Sequence, residues 1–241
     1  MTRKVYKILV ALIFFHSSLG FSQKKTSDSV LFEETLVLIK QSTYSDSATV
    51  FTAVKKIQPL IQKNPRMKAL LWNRLGDFYF YSGNINRATE YYTNSGVIAL
   101  SIKDSSIYYS NEIKKAILVR QNNAISAEKE LLYILEKVNP LNDYENIILC
   151  NNTLGFIYED KSNFEKSTYY FLNALKAAEQ KGDPYLIAMV LNNIGLSKIN
   201  HRQYDSGLKD LKKGLEYAKE FNNPILEFYL LNNLSYQTYF F

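Results

Sequence analysis

The residue types that make or break bonds are scarce in this chain, and what recurs instead is an amide. One cysteine, Cys150, and two histidines, His16 and His201, are all that 241 residues contain. That excludes an internal disulfide framework and any zinc site built from several Cys and His. Cys150 follows Ile147, Ile148 and Leu149 and is expected to be buried and inert. His201 falls in a predicted turn with no partner set visible in the sequence and is expected at the surface. Glu33-Glu34 and Glu159-Asp160 are adjacent carboxylates, and neighbours on a helix point apart, so neither is an acid/base couple. Lys55-Lys56, Lys114-Lys115 and Lys212-Lys213 read as solvated helix faces. No phosphate-cradling glycine loop occurs. The expectation is a protein that is not an enzyme and needs no cofactor or metal. Asparagine, by contrast, recurs at 73, 152, 192 and 232. Each side-chain amide offers a donor and an acceptor, so a spaced row could pair with the N–H and C=O groups of an extended peptide and read its backbone.

Such a row needs a repeating scaffold, and the sequence has one. Asn151 to Tyr158, Asn192 to Lys198 and Asn232 to Thr238 align so that Gly155, Gly195 and Ser235 fall 40 residues apart. Leu75-Gly76 lies two periods upstream. The intervening unit has its equivalent at Lys115, with Leu118, Asn122, Asn123 and Ala127 standing where Tyr79, Gly83, Asn84 and Ala88 stand in the unit before. Each unit divides into two helices, here called A and B. The second unit predicts helices over about 66–81 and 85–102, the fourth over about 143–160 and 164–180, and the fifth over about 184–200 and 204–220. Their turns are Ser82-Gly83-Asn84, Lys161-Ser162-Asn163 and His201-Arg202-Gln203. Asn64-Pro65, Asn139-Pro140, Asp183-Pro184 and Asn223-Pro224 each offer a capping side chain followed by Pro, which predicts a helix start.

The glycines have a packing logic. Gly76, Gly155 and Gly195 are mid-helix, where Gly costs ~1 kcal/mol against Ala. That is tolerable where the facing helix comes too close for a side chain. Ala88, Ala127, Ser167 and Gly207 supply small residues on the B helices, and Trp72, Tyr79, Tyr92, Leu131, Phe171 and Leu211 fill the space around them. Overall composition agrees: 46% hydrophobic and 22% charged, with 19 Tyr and 14 Phe but only 9 Gly and 5 Pro, is a folding, strand-poor chain.

The first 22 residues read as an address. Arg3, Lys4 and Lys7 precede an apolar run from Ile8 to Phe15, and Gly20 and Ser22 are small residues suited to cleavage after Ser22. The run is far short of the ~20 residues a membrane-spanning helix needs. No Cys follows it to carry a lipid. Cleavage would take three of the six net positive charges, so the mature chain, 23–241, has no excess that demands nucleic acid, and no stretch after residue 22 is apolar enough to span a bilayer.

Period, turns and small residues together resemble the tetratricopeptide repeat (TPR), in a longer variant of about 40 residues. Trp72, Leu75, Gly76, Tyr79, Gly83, Ala88 and Tyr92 fall on that family's signature spacing. The fourth unit keeps Leu154, Gly155, Tyr158, Phe171 and Ala174. The fifth departs, with Lys198 for the aromatic and Gly207 and Gly214 for two alanines. The first unit, about 28–63, is degenerate, although Ala48 keeps phase. The last is incomplete from about 224. The resemblance implies an all-α, right-handed superhelical solenoid of antiparallel helix pairs, about five and a half repeats, with the A helices lining a concave groove.

It also implies which residues face that groove. Asn73, Asn152, Asn192 and Asn232 occupy one such position, with Glu112 in the third unit. Asp77, Phe80, Tyr81, Phe156, Leu196 and Tyr236 are their neighbours. Two roles stay open for the Asn row: contact with a peptide or protein segment, or hydrogen bonds between adjacent A helices. At the end of the chain, Leu226, Phe228, Leu230, Leu231, Leu234, Tyr239 and Phe240 are expected to form an apolar surface suited to end-to-end pairing of two copies, to a folded-back helix, or to further repeats. A signal segment followed by long-variant repeats resembles the extracytoplasmic region of bacterial sensor histidine kinases and of repeat-containing transcription regulators. The expectation is therefore an exported, periplasmic or extracellular binding protein of a Gram-negative bacterium. The alternative is a truncated sensor region whose output domain is absent, and an enzyme is a distant third.

Overall fold

The structure is a computed structural model that describes residues 27–41, 47–220 and 224–240, without the side chains of residues 41, 225 and 236–240. Residues 1–22, expected to be a targeting segment, lie outside the described residues. Twelve α-helices and no strand occur among those described. They are α1 (Ser27–Gln41), α2 (Ser47–Lys56), α3 (Gln58–Lys63), α4 (Pro65–Tyr81), α5 (Ile85–Ser101), α6 (Ser105–Val119), α7 (Ala124–Val138), α8 (Tyr144–Asp160), α9 (Phe164–Lys181), α10 (Pro184–Asn200), α11 (Tyr204–Glu220) and α12 (Pro224–Phe240). Consecutive helices pack as antiparallel pairs, and each pair packs on the next, giving an all-α solenoid.

The helices begin where their caps stand. Asn64, Asn84, Asp104, Asn123, Asp143, Asn163 and Asp183 each accept a hydrogen bond from a backbone N–H in the following first turn. Each satisfies one of the donors a helix start leaves free. Gly83, at φ 75°, turns the chain between α4 and α5. The first unit departs from the pattern, because its second helix is broken at Ile57. Pro59, in the first turn of α3, has no N–H to continue α2.

Asn139-Pro140 does not start a helix, contrary to the sequence expectation. Asn139 caps the C-terminus of α7, and Asn139–Leu141 form a single 3₁₀ turn. Asn142 is left-handed at φ 51°, and Asp143 is the cap of α8. The chain therefore needs four residues of turn before the next true cap.

Apolar clusters follow one another along the stack. Phe32, Val50, Ile57, Leu71, Leu75 and Tyr92 join the first two units. Ala69, Ala99 and Ile107 carry contact into the third. Ile113 and Leu131 share a cluster with Leu154, Phe171 and Leu191 of the fourth and fifth units. Ala188, Leu211 and Leu230 continue the series to α12. Cys150 is fully buried here, and burial pushes its thiol above the ordinary range, so it is inert as expected.

The mid-helix glycines sit where helices touch. A Cβ on Gly76 would lie 2.3 Å from the Tyr92 ring, and one on Gly155 would lie 2.6 Å from the Phe171 ring. On Gly195 it would meet Leu211 at 2.7 Å and the Gly207 carbonyl at 2.9 Å. The pairing of small residue on A with large residue on B is thus a steric lock.

Tyrosine burial gives the fold an alkaline limit. Tyr92 is held far above the ordinary phenol range, first by burial and then by Asp77, and burial also raises Tyr91, Tyr158 and Tyr170. The folded state keeps these protons at pH values where the unfolded chain releases them. Their contribution is full below the unfolded value of 10.0 and is lost as pH rises through it toward the folded values. Burial raises Tyr108 as well; Lys114, lowered by burial, works in the opposite sense, but it is one group against five. Melting temperature is expected to fall steeply between about pH 9 and 11, and less steeply in Tyr92→Phe.

Candidate functional site

The A-helix face was the predicted site, and the caps give its register. Gly76, Gly155 and Gly195 each lie twelve residues after the cap of their helix. In the third unit that position is Ala116, which is buried, and not Lys115. The span from Asp104 to Asn123 is nineteen residues, against twenty from Asn64 to Asn84 and from Asp143 to Asn163. One residue is missing from α6, so counting from its end slips the register. The counterpart of Asn73 is therefore Ile113. Glu112 stands one place earlier, where it pairs with Lys115 at 2.7 Å.

The asparagines join one unit to the next. Asn73 donates to Asn111 Oδ1 at 2.9 Å and accepts from Lys114 Nζ at 2.6 Å. Asn152 accepts from Asn193 Nδ2 at 3.4 Å, and Asn192 accepts from Asn233 Nδ2 at 2.7 Å. In the first two links an Asn nine residues past its cap accepts from the residue ten past the next cap, and the third link has the same 41-residue spacing. Asn73 and Asn152 are buried, Asn192 is half-buried, and Asn232 is exposed.

Lys114, read from sequence as part of a solvated run, is instead enclosed in a charged node. Its ammonium lies 2.8 Å from the Asp77 carboxylate. Tyr92 donates to Asp77 Oδ1 at 2.8 Å, and Arg74 adds a contact at 3.3 Å. Burial pushes the Lys114 ammonium below the ordinary lysine range, and Asp77 pulls it back. The signal was present in the sequence, since Lys114 lies one repeat beyond Arg74 and Asn73.

A second node joins the fourth and fifth units. Glu159 Oε2 accepts from Ser167 Oγ at 3.0 Å and also from Ser197 Oγ, while Oε1 accepts from Asn200 Nδ2 at 3.3 Å. The His201 ring stacks on Phe164 at 4.0 Å, donates from Nδ1 to the Ser197 carbonyl at 2.8 Å, and lies 3.6 Å from Glu159. Neither Glu159 nor His201 is the free surface residue expected, because Ser197 and Asn200 reach Glu159, and Phe164 reaches His201, only when the fifth unit packs on the fourth.

Thirteen residues past each cap stand Asp77, the carboxylate of the first node, and then an apolar strip of Ile117, Phe156 and Leu196, all half-buried. Phe156 packs edge-on against Phe171 at 5.1 Å, and the Arg120 guanidinium lies 5.5 Å over its other side. Arg120 also pairs with Asp160 at 3.7 Å. Phe80 is half-buried against the first core cluster, while Tyr81 is 55% exposed. The side chain of Tyr236, also expected at the groove, lies outside the described residues. On α12, Leu226 and Leu230 are buried, Phe228, Tyr229 and Leu231 are exposed, and Leu234 is packed against the core. The side chains of Tyr239 and Phe240 lie outside the described residues. No cluster of three or more His, Cys, Asp or Glu able to hold a metal, and no helix long and apolar enough to cross a membrane, occurs among the described residues.

No family model and no curated protein matches the chain. Among solved structures it is similar to a Signal Transduction ATPase with Numerous Domains (STAND) protein with a tetratricopeptide repeat sensor from Pyrococcus horikoshii, at 20% identity and a TM-score of 0.58. The match covers 87% of this chain and 32% of that one, so the chain spans about a third of that protein's length. It is also similar to BtubC (BKLC) from P. vanneervenii, at 14% identity and a TM-score of 0.52, over 83% of this chain and 94% of that one. At these identities the likeness is one of fold: a tetratricopeptide-like helical solenoid.

Proposed function

We propose that this chain is an exported, non-enzymatic binding protein whose A-helix face takes up an extended peptide or protein segment. The observation that carries the reading is the strip of half-exposed Ile117, Phe156 and Leu196, edged by exposed Tyr81 and by the charged groups of Arg74, Arg120 and Asp160. Apolar area bordered by guanidinium groups and a tyrosine is a composition that anchors protein segments. Because the Asn row links adjacent units, affinity on this reading comes from the strip, and Asn232 is the row's most accessible member. The likeness to a structure described as a sensor supports a second reading, in which the same face is the input region of a signalling protein. In either case the expected partner is a peptide or protein and not nucleic acid, and end-to-end pairing through α12 remains a further mode of assembly for a second copy.

The test uses affinity capture from cell-envelope extract. Tyr81→Ser combined with Arg120→Glu is expected to lower capture at least tenfold while leaving the melting temperature within a few degrees, because both side chains are outside the core. Asn232→Ala alone is expected to cost several-fold. Undiminished capture by the double variant would contradict the reading.

A further inference from the structure

One contact among the described residues joins units that are not neighbours in the stack. The side-chain hydrogen bonds between units span at most 41 residues, from one unit to the next. Lys40, at the end of α1, instead places its ammonium 4.1 Å from the ring centroid of Tyr185, in the first turn of α10. These residues belong to the first and fifth units. The end of the first A helix therefore meets the start of the fifth.

We propose that Lys40 and Tyr185 form a latch that closes the array on itself, holding the first unit against the fifth. An ammonium over a tyrosine face is attracted by the ring's negative quadrupole. Lys40 is exposed, so the attraction is partial, and it favours the closed state by a factor of about two to five. That is a bias and not a clamp, as a reversible closure requires. The surroundings are built for it. Tyr185 is held against the core of the last units, so the receiving ring is fixed. On α1, Phe32, Thr35 and Ile39 are buried, whereas Val37 is exposed one turn before Lys40 on the same face. Glu33 lies a further turn back on that face. The latch is thus the leading end of a stripe that α1 leaves uncovered. The proposal concerns the chain's own winding and stands whether or not a segment occupies the groove.

The test measures the distance between the two units in the full chain. Nitroxide labels at Glu34→Cys and Asp205→Cys, both exposed positions, report it by pulsed electron resonance. The parent is expected to show one dominant short distance. Lys40→Ala should transfer population to longer distances, lowering the ratio of closed to open about two- to fivefold. Lys40→Arg, which also places a cation over the ring, and Tyr185→Phe, which keeps the ring, should each retain the parent ratio. Circular dichroism melts of each variant separate opening from unfolding, since Tyr185 contributes to the core. An unchanged distribution in Lys40→Ala overturns the proposal. So does the same change in Lys40→Arg, or a parent distribution already as broad as that of the alanine variant.

Discussion

Gly207→Ala is expected to destabilise the protein by about 1–2 kcal/mol, whereas Gly96→Ala is expected to stabilise it by about 0.5–1 kcal/mol. Both glycines are buried within helices, so propensity alone predicts the same gain of ~1 kcal/mol for each. The surroundings separate them. A Cβ at Gly207 would stand 2.6 Å from the Gly195 carbonyl oxygen and 2.6 Å from Ile199 Cγ1. One obstacle is backbone, so α10 and α11 must move apart, and overpacking of this kind costs about 1–3 kcal/mol. At Gly96 the nearest atoms are 3.7–3.9 Å away, which is ordinary contact. Chemical denaturation of the two variants reads the difference directly. Equal effects at both sites would mean that α10 and α11 do not approach as described.

The second large effect is expected at Lys114. Lys114→Met removes the ammonium from Asp77 and Asn73 and leaves a mostly enclosed carboxylate with Tyr92 and Arg74 alone. Removing one partner of a buried pair costs about 3–5 kcal/mol; the Asp77 side chain is 24% exposed and keeps two donors, so about 2 kcal/mol is expected. The double variant Lys114→Met, Asp77→Asn should recover at least half of that loss, because the stranded charge is gone. Lys115→Met, one residue away and paired only with Glu112, should change stability by less than ~0.5 kcal/mol. If the two lysines behave alike, the node does not hold the second and third units together.

These predictions mark what local sequence encodes and what it does not. Turns and helix starts were legible because each is written in a few consecutive residues: Asn84 after Gly83, Asp183 before Pro184. The close approach at the mid-helix glycines is legible within each unit, but the small residues Ala88 and Ser167 are the counterparts that the sequence suggests, whereas Gly76 and Gly155 meet the rings of Tyr92 and Phe171. The third unit misled because a single residue is missing from α6, which moved the groove assignment from Ile113 to Glu112. Asn139-Pro140 misled because Pro favours a 3₁₀ turn as well as an α-helix start. The polar nodes were the least legible. Glu159, Ser197 and His201 meet only after two helices stack, and Lys114 looks solvated until Asp77 is opposite it. Lys40 and Tyr185 lie 145 residues apart, and no pattern in the sequence relates them.

The most direct test of the account is where a bound segment touches the array. A photo-reactive phenylalanine analogue placed at Tyr81 or Phe156 probes the A-helix face, and one at Tyr169 or Leu172 probes the exposed outer face of α9. Irradiation in the presence of captured partner is predicted to give cross-links from positions 81 and 156 and none from 169 and 172. Cross-links from the outer positions alone would contradict it.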